Sequence, residues 1–330
     1  MTKPAFQRLS GTDALPLTLR DCVVAIGNFD GVHRGHQSVL ERALEIAGRN
    51  KLPSVVLTFE PHPRSFFRPN EPVERLTDAV EKAEILRLMG FDAVVEQPFT
   101  ADFSAQSAED FVRNILVERL HANCVVTGYD FHFGKGRRGT PDFLVEAGTS
   151  SGFSVSLVDA FTDEGGNVVS STRIRALLCD GEVAEAAGLL GYRYRVSGEV
   201  IHGKKLGRTL GFPTANMTID DHVSMKHGIY AVRFRMADGS LHDGVASFGR
   251  RPTVDSDGKP LLETFVFDFA GDLYGQIAEV SFFGYLRGEI KFDGLNPLIV
   301  QMKRDEEEAR AILAGAKPIS ALDRLLSFSA

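Results

Sequence analysis

At 330 residues the chain is long enough for about two domains, and its 43% hydrophobic and 25% charged content is ordinary for a folded globular protein. Its 37 basic residues against 44 acidic ones give a net charge of -7, which argues against a general nucleic-acid binder. Three cysteines, Cys22, Cys124 and Cys179, form no C-x-x-C pair and lie in or beside apolar runs, so they read as buried free thiols of a reducing compartment. The first residues lack a signal-peptide core, and no apolar stretch is long enough to span a bilayer, so a cytoplasmic protein with no membrane partner is expected.

In chain order, Val23 to Ile26 reads as a strand running into the turn G-N-F-D-G, Gly27 to Gly31. Beyond it, Val39, Leu40, Ala43, Leu44 and Ala47 recur at helical spacing, so His33 and His36 fall at or just before a helix N-terminus. Free N–H groups and the positive end of the helix dipole attract phosphate there. Two imidazoles add donors that can follow charge growing on a phosphoryl oxygen. A His metal pair is disfavoured, because no third ligand is evident.

Strands are then expected at Ser54 to Phe59, Ala93 to Glu96, Cys124 to Thr127 and Val155 to Val158. Helices alternate with them at Ala79 to Met89, Ala108 to Leu120 and Pro141 to Ala147. Such alternation predicts a parallel sheet covered on both faces, with ligands at the carboxyl ends of its strands. The turn at Gly27, the E-P-H-P at Glu60 and the G-Y-D at Gly128 all fall at those ends. A glycine-rich loop follows Gly128, and its Lys135, Arg137 and Arg138 suit phosphate or plain solvent.

Two short helical pieces meet at Asp180-Gly181, and strands dominate from Tyr192 onward. They are expected at Tyr194–Val200, Ile229–Met236, Leu241–Ala246, Thr264–Phe269 and Ala278–Leu286, with hairpin-type turns between them. That pattern predicts an antiparallel barrel, closed by a helix over roughly Pro297 to Leu313. The domain boundary is expected near residue 186, giving units 1–185 and 186–330. The segment from Gly198 misses a P-loop by one residue, Lys205, and reads as strand, so a Walker loop is rejected.

The H-x-G-H of His33 to His36 resembles the nucleotidyltransferase superfamily, whose members attack the α-phosphate of ATP. S-S-T-R-I-R, Ser170 to Arg175, resembles their second signature. There Ser171 and Thr172 can donate to phosphates, and Arg173 or Arg175 can neutralise leaving pyrophosphate; an ordinary N-cap uses the same residue types. The run from Gly203 through Lys204, Gly207 and Gly211 to Pro213-Thr-Ala-Asn resembles the riboflavin kinase signature. Thr214 and Asn216 offer hard oxygen ligands for a Mg²⁺–nucleotide complex, and the glycines let backbone approach phosphates.

With G-N-F-D-G-V-H-R-G-H, F-E-P-H-P, G-Y-D-F-H-F-G, S-S-T-R-I-R, L-G-F-P-T-A-N, F-G-R-R-P-T and D-L-Y-G in order, nearly the whole chain resembles the bacterial bifunctional riboflavin kinase/FAD synthetases. The resemblance implies a Rossmann-like nucleotidyltransferase sheet followed by a riboflavin kinase-like β-barrel. It implies ATP, riboflavin and FMN as substrates, FMN and FAD as products, and Mg²⁺ as the ion. His33, His36, Arg173 and Glu263 become catalytic candidates. Gly27, Asn28, Asp30, Gly31, Ser171, Thr172, Arg175, Gly203, Lys204, Gly207 and Gly211 become candidates for ATP or phosphate. Gly128, Asp130 and Arg287 become flavin candidates, and Thr214 and Asn216 metal candidates. Glu263 stands where the family has its proposed general base; alone it reads equally as a strand-edge carboxylate. Arg287 reads equally as an ion-pair partner of Glu289 or of the terminal helix. Ser247 and Phe248 depart from the family's G-V-A-N-I-G pattern. One active half, or a flavin-binding protein that consumes no ATP, are the rival readings.

Overall fold

The computed structural model describes residues 5–202, 212–220, 223–250 and 260–329. Contacts divide the chain into two compact units, Met1–Ser170 and Ser171–Ala330.

The first unit contains β1 (Gln7–Ser10), β2 (Val23–Ile26), α1 (Arg34–Asn50), β3 (Ser54–Glu60), α2 (Pro63–Phe67), α3 (Ala79–Met89), β4 (Ala93–Pro98), α4 (Ala101–Ser104), α5 (Ala108–Asp110), β5 (Cys124–Gly128), α6 (Pro141–Ser151) and β6 (Ser154–Val158). α5 runs directly into a wider, π-type turn over Phe111–Arg119. The six strands form one sheet in the order β1-β4-β3-β2-β5-β6, and every pairing in it is parallel. All four residues of β2 and the first six of β3 are buried, as a sheet covered on both faces requires. Of the edge strands, β1 alternates in exposure and β6 has no fully buried residue. β1 was not expected: at four alternating residues it carries little periodic signal, and pairing with β4 supplies what makes it a strand.

The second unit contains α7 (Ser171–Asp180), α8 (Val183–Leu190), β7 (Arg195–Ile201), β8 (Thr214–Thr218), β9 (Gly228–Arg235), β10 (Leu241–Arg250), β11 (Pro260–Val266), β12 (Ile277–Arg287), α9 (Leu295–Gly315) and α10 (Ala321–Ser327). Its six strands close into an antiparallel barrel in the order β10-β11-β8-β7-β12-β9. Along β11, Leu262, Thr264 and Val266 are buried while Leu261, Glu263 and Phe265 are half-buried, the two-residue alternation of a barrel wall. A second core lies outside the wall, where Ala309 and Leu313 of α9 join Ala231, Phe267 and Phe283.

α7 and α8 pack on this barrel. Lys226 donates from its backbone N to Leu178 O at 3.0 Å and from Nζ to Asp180 O at 3.1 Å. The contact boundary thus falls before α7, whereas sequence pattern suggests residue 186. Two further elements escaped the pattern. β8 is hidden inside the P-T-A-N run. α10 follows the expected closing helix and is capped by Ser320, whose Oγ accepts from Asp323 N at 2.9 Å.

Candidate active site

In the first unit β3, β2 and β5 are neighbours and parallel, so Glu60, Gly27 and Gly128 emerge from the same edge of the sheet. The turn after β2 is held from several sides. Asp30 is buried, and its Oδ1 accepts from Leu76 N at 2.9 Å and Thr77 N at 3.3 Å. Gly31 N donates to Thr77 Oγ1 at 3.0 Å. Three turn residues have positive φ: Phe29 at 49°, Gly31 at 80° and Val32 at 35°. For the two non-glycine residues this costs of order 1–3 kcal/mol each and persists only where surroundings over-determine it.

His33 caps α1: its Nδ1 accepts from His36 N at 3.2 Å, which leaves Nε2 to carry the ring proton. The His33 and His36 rings stack with centroids 3.6 Å apart, and Phe29 meets His36 edge-on at 5.5 Å. Gly35, between the histidines, allows this closeness. A Cβ there would stand 3.2 Å from the His33 ring and 3.3 Å from the Val169 carbonyl. Nδ1 of His36 is buried with no hydrogen-bond partner among the described residues. Burial, and then the neighbouring His33 and Lys82, push the His36 pKa well below its ordinary 6.5, so the ring is neutral at pH 7.

Behind the turn lies a charged cluster that sequence reading passed over. Lys82, on the buried face of α3, donates to Asn28 O, Thr58 Oγ1 and Glu60 Oε1. Arg75 holds Glu60 in a two-pronged pair, at 2.5 Å from Nη2 and 2.9 Å from Nη1. Burial raises Glu60, but the Arg75 hydrogen bond and the Lys82 and Arg75 charges outweigh it and hold the carboxyl below its usual range. Burial, with the nearby Arg75 charge, holds Lys82 below its ordinary value, and the Glu60 carboxylate offsets part of that fall. The one sequence signal was a lysine at helical spacing with Ile85 and Leu86, on a face that should be apolar.

Gly128 ends β5, and a Cβ on it would lie 3.2 Å from Asp130 Oδ1, so these two flavin candidates touch closely. Asp130 is exposed, and its carbonyl lies 2.8 Å from His132 Nδ1. Ser171, Thr172, Arg173 and Arg175 occupy the first turns of α7, in the second unit.

In the barrel, Asn216 of β8 stands directly across from Glu263 of β11, which in turn pairs with Ser247 of β10. This row lies on the face away from Leu262 and Thr264. Thr214 is two residues before Asn216 and shares its side of β8; Asn216 Nδ2 donates to Thr214 O at 3.3 Å. Arg287, at the end of β12, is clamped by Asp305 of α9, through Nε at 2.8 Å and Nη2 at 2.6 Å. Its ion-pair reading therefore holds with the helix and not with Glu289. Gly203, Lys204, Gly207 and Gly211 lie outside the described residues. Among the described residues no group of three or more His, Cys, Asp or Glu side chains is set to hold a metal, and no helix is long and apolar enough to cross a membrane.

Residues 16–173 match the FAD synthetase family, and residues 190–313 match the riboflavin kinase family. A protein of Listeria monocytogenes named bifunctional riboflavin kinase/FMN adenylyltransferase is 42% identical over 294 residues, covering 88% of this chain and 92% of its own. A Haemophilus influenzae protein of the same name is 40% identical over 92% of this chain and 98% of its own. Among solved structures, a Streptococcus pneumoniae protein titled a macrolide-efflux protein superposes with a TM-score of 0.81 at 31% identity, covering 93% of this chain and 99% of its own. With both halves matched in order and relatives aligned over nearly their full length, the chain belongs to the family of bifunctional riboflavin kinase/FMN adenylyltransferases.

Proposed function

We propose that the His33–His36 pair carries FMN adenylyl transfer and the Asn216–Glu263 row carries riboflavin phosphorylation, with the functional division near residue 186. The chain is a bifunctional transferase that makes FMN from riboflavin and FAD from FMN. The observation that supports the first assignment is the capping geometry: His33 is fixed at the start of α1, and a neutral His36 is stacked on it.

In adenylyl transfer an FMN phosphate oxygen attacks the α-phosphorus of ATP. The bond to the bridging oxygen breaks, and pyrophosphate leaves with the electron pair. The protein has little covalent work to do, so positioning and charge stabilisation dominate. His33 and His36 donate to the α-phosphoryl oxygens, and the Gly27, Asn28 and Gly31 backbone lines the phosphates while Asp30 holds that turn. Ser171, Thr172, Arg173 and Arg175 bind the leaving group. Gly128 and Asp130 border the flavin.

In phosphorylation the riboflavin 5′-hydroxyl attacks the γ-phosphorus, Glu263 takes its proton, and ADP leaves. Thr214 and Asn216 would hold the Mg²⁺ of the nucleotide, for which a hydroxyl, an amide oxygen and a neighbouring carboxylate are a fitting hard-oxygen set, and the ion would neutralise phosphate charge there. Gly203, Lys204, Gly207 and Gly211 cradle the phosphates, and Arg287, oriented by Asp305, meets the flavin.

Incubation with riboflavin, ATP and Mg²⁺, followed by chromatography of the flavins, tests the scheme. FMN should appear first, FAD should follow, and chelation of Mg²⁺ should stop both. FMN that never becomes FAD would remove the first assignment. Flavin bound without ATP consumption would favour a binding protein.

A further inference from the structure

The Lys82–Glu60–Arg75 cluster has no part in the scheme above, yet it touches the phosphate turn directly. The Lys82 side chain is 3% exposed, and its three N–H bonds meet three acceptors: Asn28 O at 3.1 Å, Thr58 Oγ1 at 3.1 Å and Glu60 Oε1 at 3.0 Å. Thr58 Oγ1 itself donates to Asn28 O at 3.1 Å, so this one carbonyl receives two hydrogen bonds from beneath the turn. A trans peptide is planar, with its C=O and the following N–H pointing opposite ways. With the Asn28 carbonyl drawn toward the ammonium, the Phe29 N–H points away from it. Phe29 is held at a φ of 49°, a conformation that a free chain would abandon.

We propose that Lys82 is a positioning residue for adenylyl transfer: it fixes the Asn28–Phe29 peptide so that the Phe29 N–H faces a phosphate oxygen of the nucleotide. A neutral hydrogen-bond donor in that place would satisfy only part of the carbonyl. An ammonium makes the stronger charge-assisted bond, and the Glu60 carboxylate 3.0 Å from Nζ favours that charged form. Without Lys82 the Asn28 carbonyl keeps only the neutral Thr58 bond, which holds the peptide less firmly. The inference rests on reading His33 and His36 as the adenylyl-transfer site.

The test is Lys82→Met in the full chain, with FAD formation measured from supplied FMN. Loss of one aligned donor lowers kcat by roughly 100-fold. The KM for ATP should move far less than kcat, because the interaction is made chiefly as charge develops. FMN formation from riboflavin should persist. Lys82→Met leaves the Glu60–Arg75 pair intact and strands no buried charge, and Lys82→Gln, which keeps a neutral donor near Asn28 O, guards against misfolding of the first variant. Both should melt as cooperatively as the wild type, with kcat for FAD formation reduced in each and most in Lys82→Met. Either variant that folds and keeps its kcat overturns the proposal. His36→Ala is run in parallel. If that change leaves FAD formation intact, the site reading itself fails; if it abolishes FAD formation while Lys82→Met does not, only the role of Lys82 fails.

Discussion

The two units hold their candidate residues in different ways. In the parallel sheet the strands themselves contribute almost no chemistry; β2 is buried throughout, and the candidates sit on turns beyond strand ends. The turn after β2 needs outside support, which Leu76, Thr77, Thr58 and Lys82 supply. In the antiparallel barrel the candidates are strand residues, and the ladder aligns them: Ser247, Glu263 and Asn216 are direct neighbours across three strands. A parallel sheet spends its strands on the core and its loops on function. A barrel wall has a second face to offer, and register alone places a carboxylate beside an amide.

Point changes can break this comparison. The largest effect is expected for Glu263→Ala, since losing a general base costs typically 10²–10⁴-fold. FMN formation should collapse while supplied FMN still becomes FAD. His36→Ala should do the reverse, with a loss on the order of a hundredfold or more in FAD formation. Separate flavin assays from riboflavin and from FMN read both variants. A folded single variant that loses both activities would mean one shared site.

A smaller effect sharpens the structural half of the comparison. Asp305 is nearly buried and grips Arg287 with both oxygens, so Asp305→Ala leaves a guanidinium unpaired at a cost of roughly 3 kcal/mol. FMN formation should then fail at a lower urea concentration than in the wild type, while the urea midpoint of FAD formation from FMN stays put. Equal shifts in both would show that the units do not unfold separately.

The smallest effect is a pH dependence. His36 takes up a proton at about pH 6.5 when unfolded but resists it when folded, because burial, His33 and Lys82 depress its pKa. Below pH 6.5 the unfolded state therefore binds more protons, and stability falls as pH falls. Between pH 6.5 and about 5, above the ordinary carboxylate range, the wild type should lose on the order of 1 kcal/mol that His36→Gln does not lose. Parallel melting profiles for the two proteins over that window would contradict a neutral, buried His36.

Much of the architecture was legible because its signals are local. Ala79 to Met89 was expected as a helix and runs as one between an Asp78 cap and Gly90 in the left-handed region. β2, β3 and β5 stand out as apolar runs bounded by turn residues. β1 and β8 escaped because short strands owe their existence to partners far away in sequence. The histidine pair was legible through its spacing, i and i+3 at a helix start. Lys82 was not, because nothing local says that a lysine on a buried helix face will meet a carbonyl 54 positions earlier.

The position of α7 carries a consequence for heredity as much as for chemistry. The family match for the first half runs to residue 173, yet the helix beginning at Ser171 packs with the barrel. A gene split ahead of α7 would leave Ser171 to Arg175 on the barrel's product, whereas a split at residue 186 keeps them with the histidine pair at the expense of the α7 contacts to the barrel. Under the proposed roles only the second split gives each product its own candidate residues.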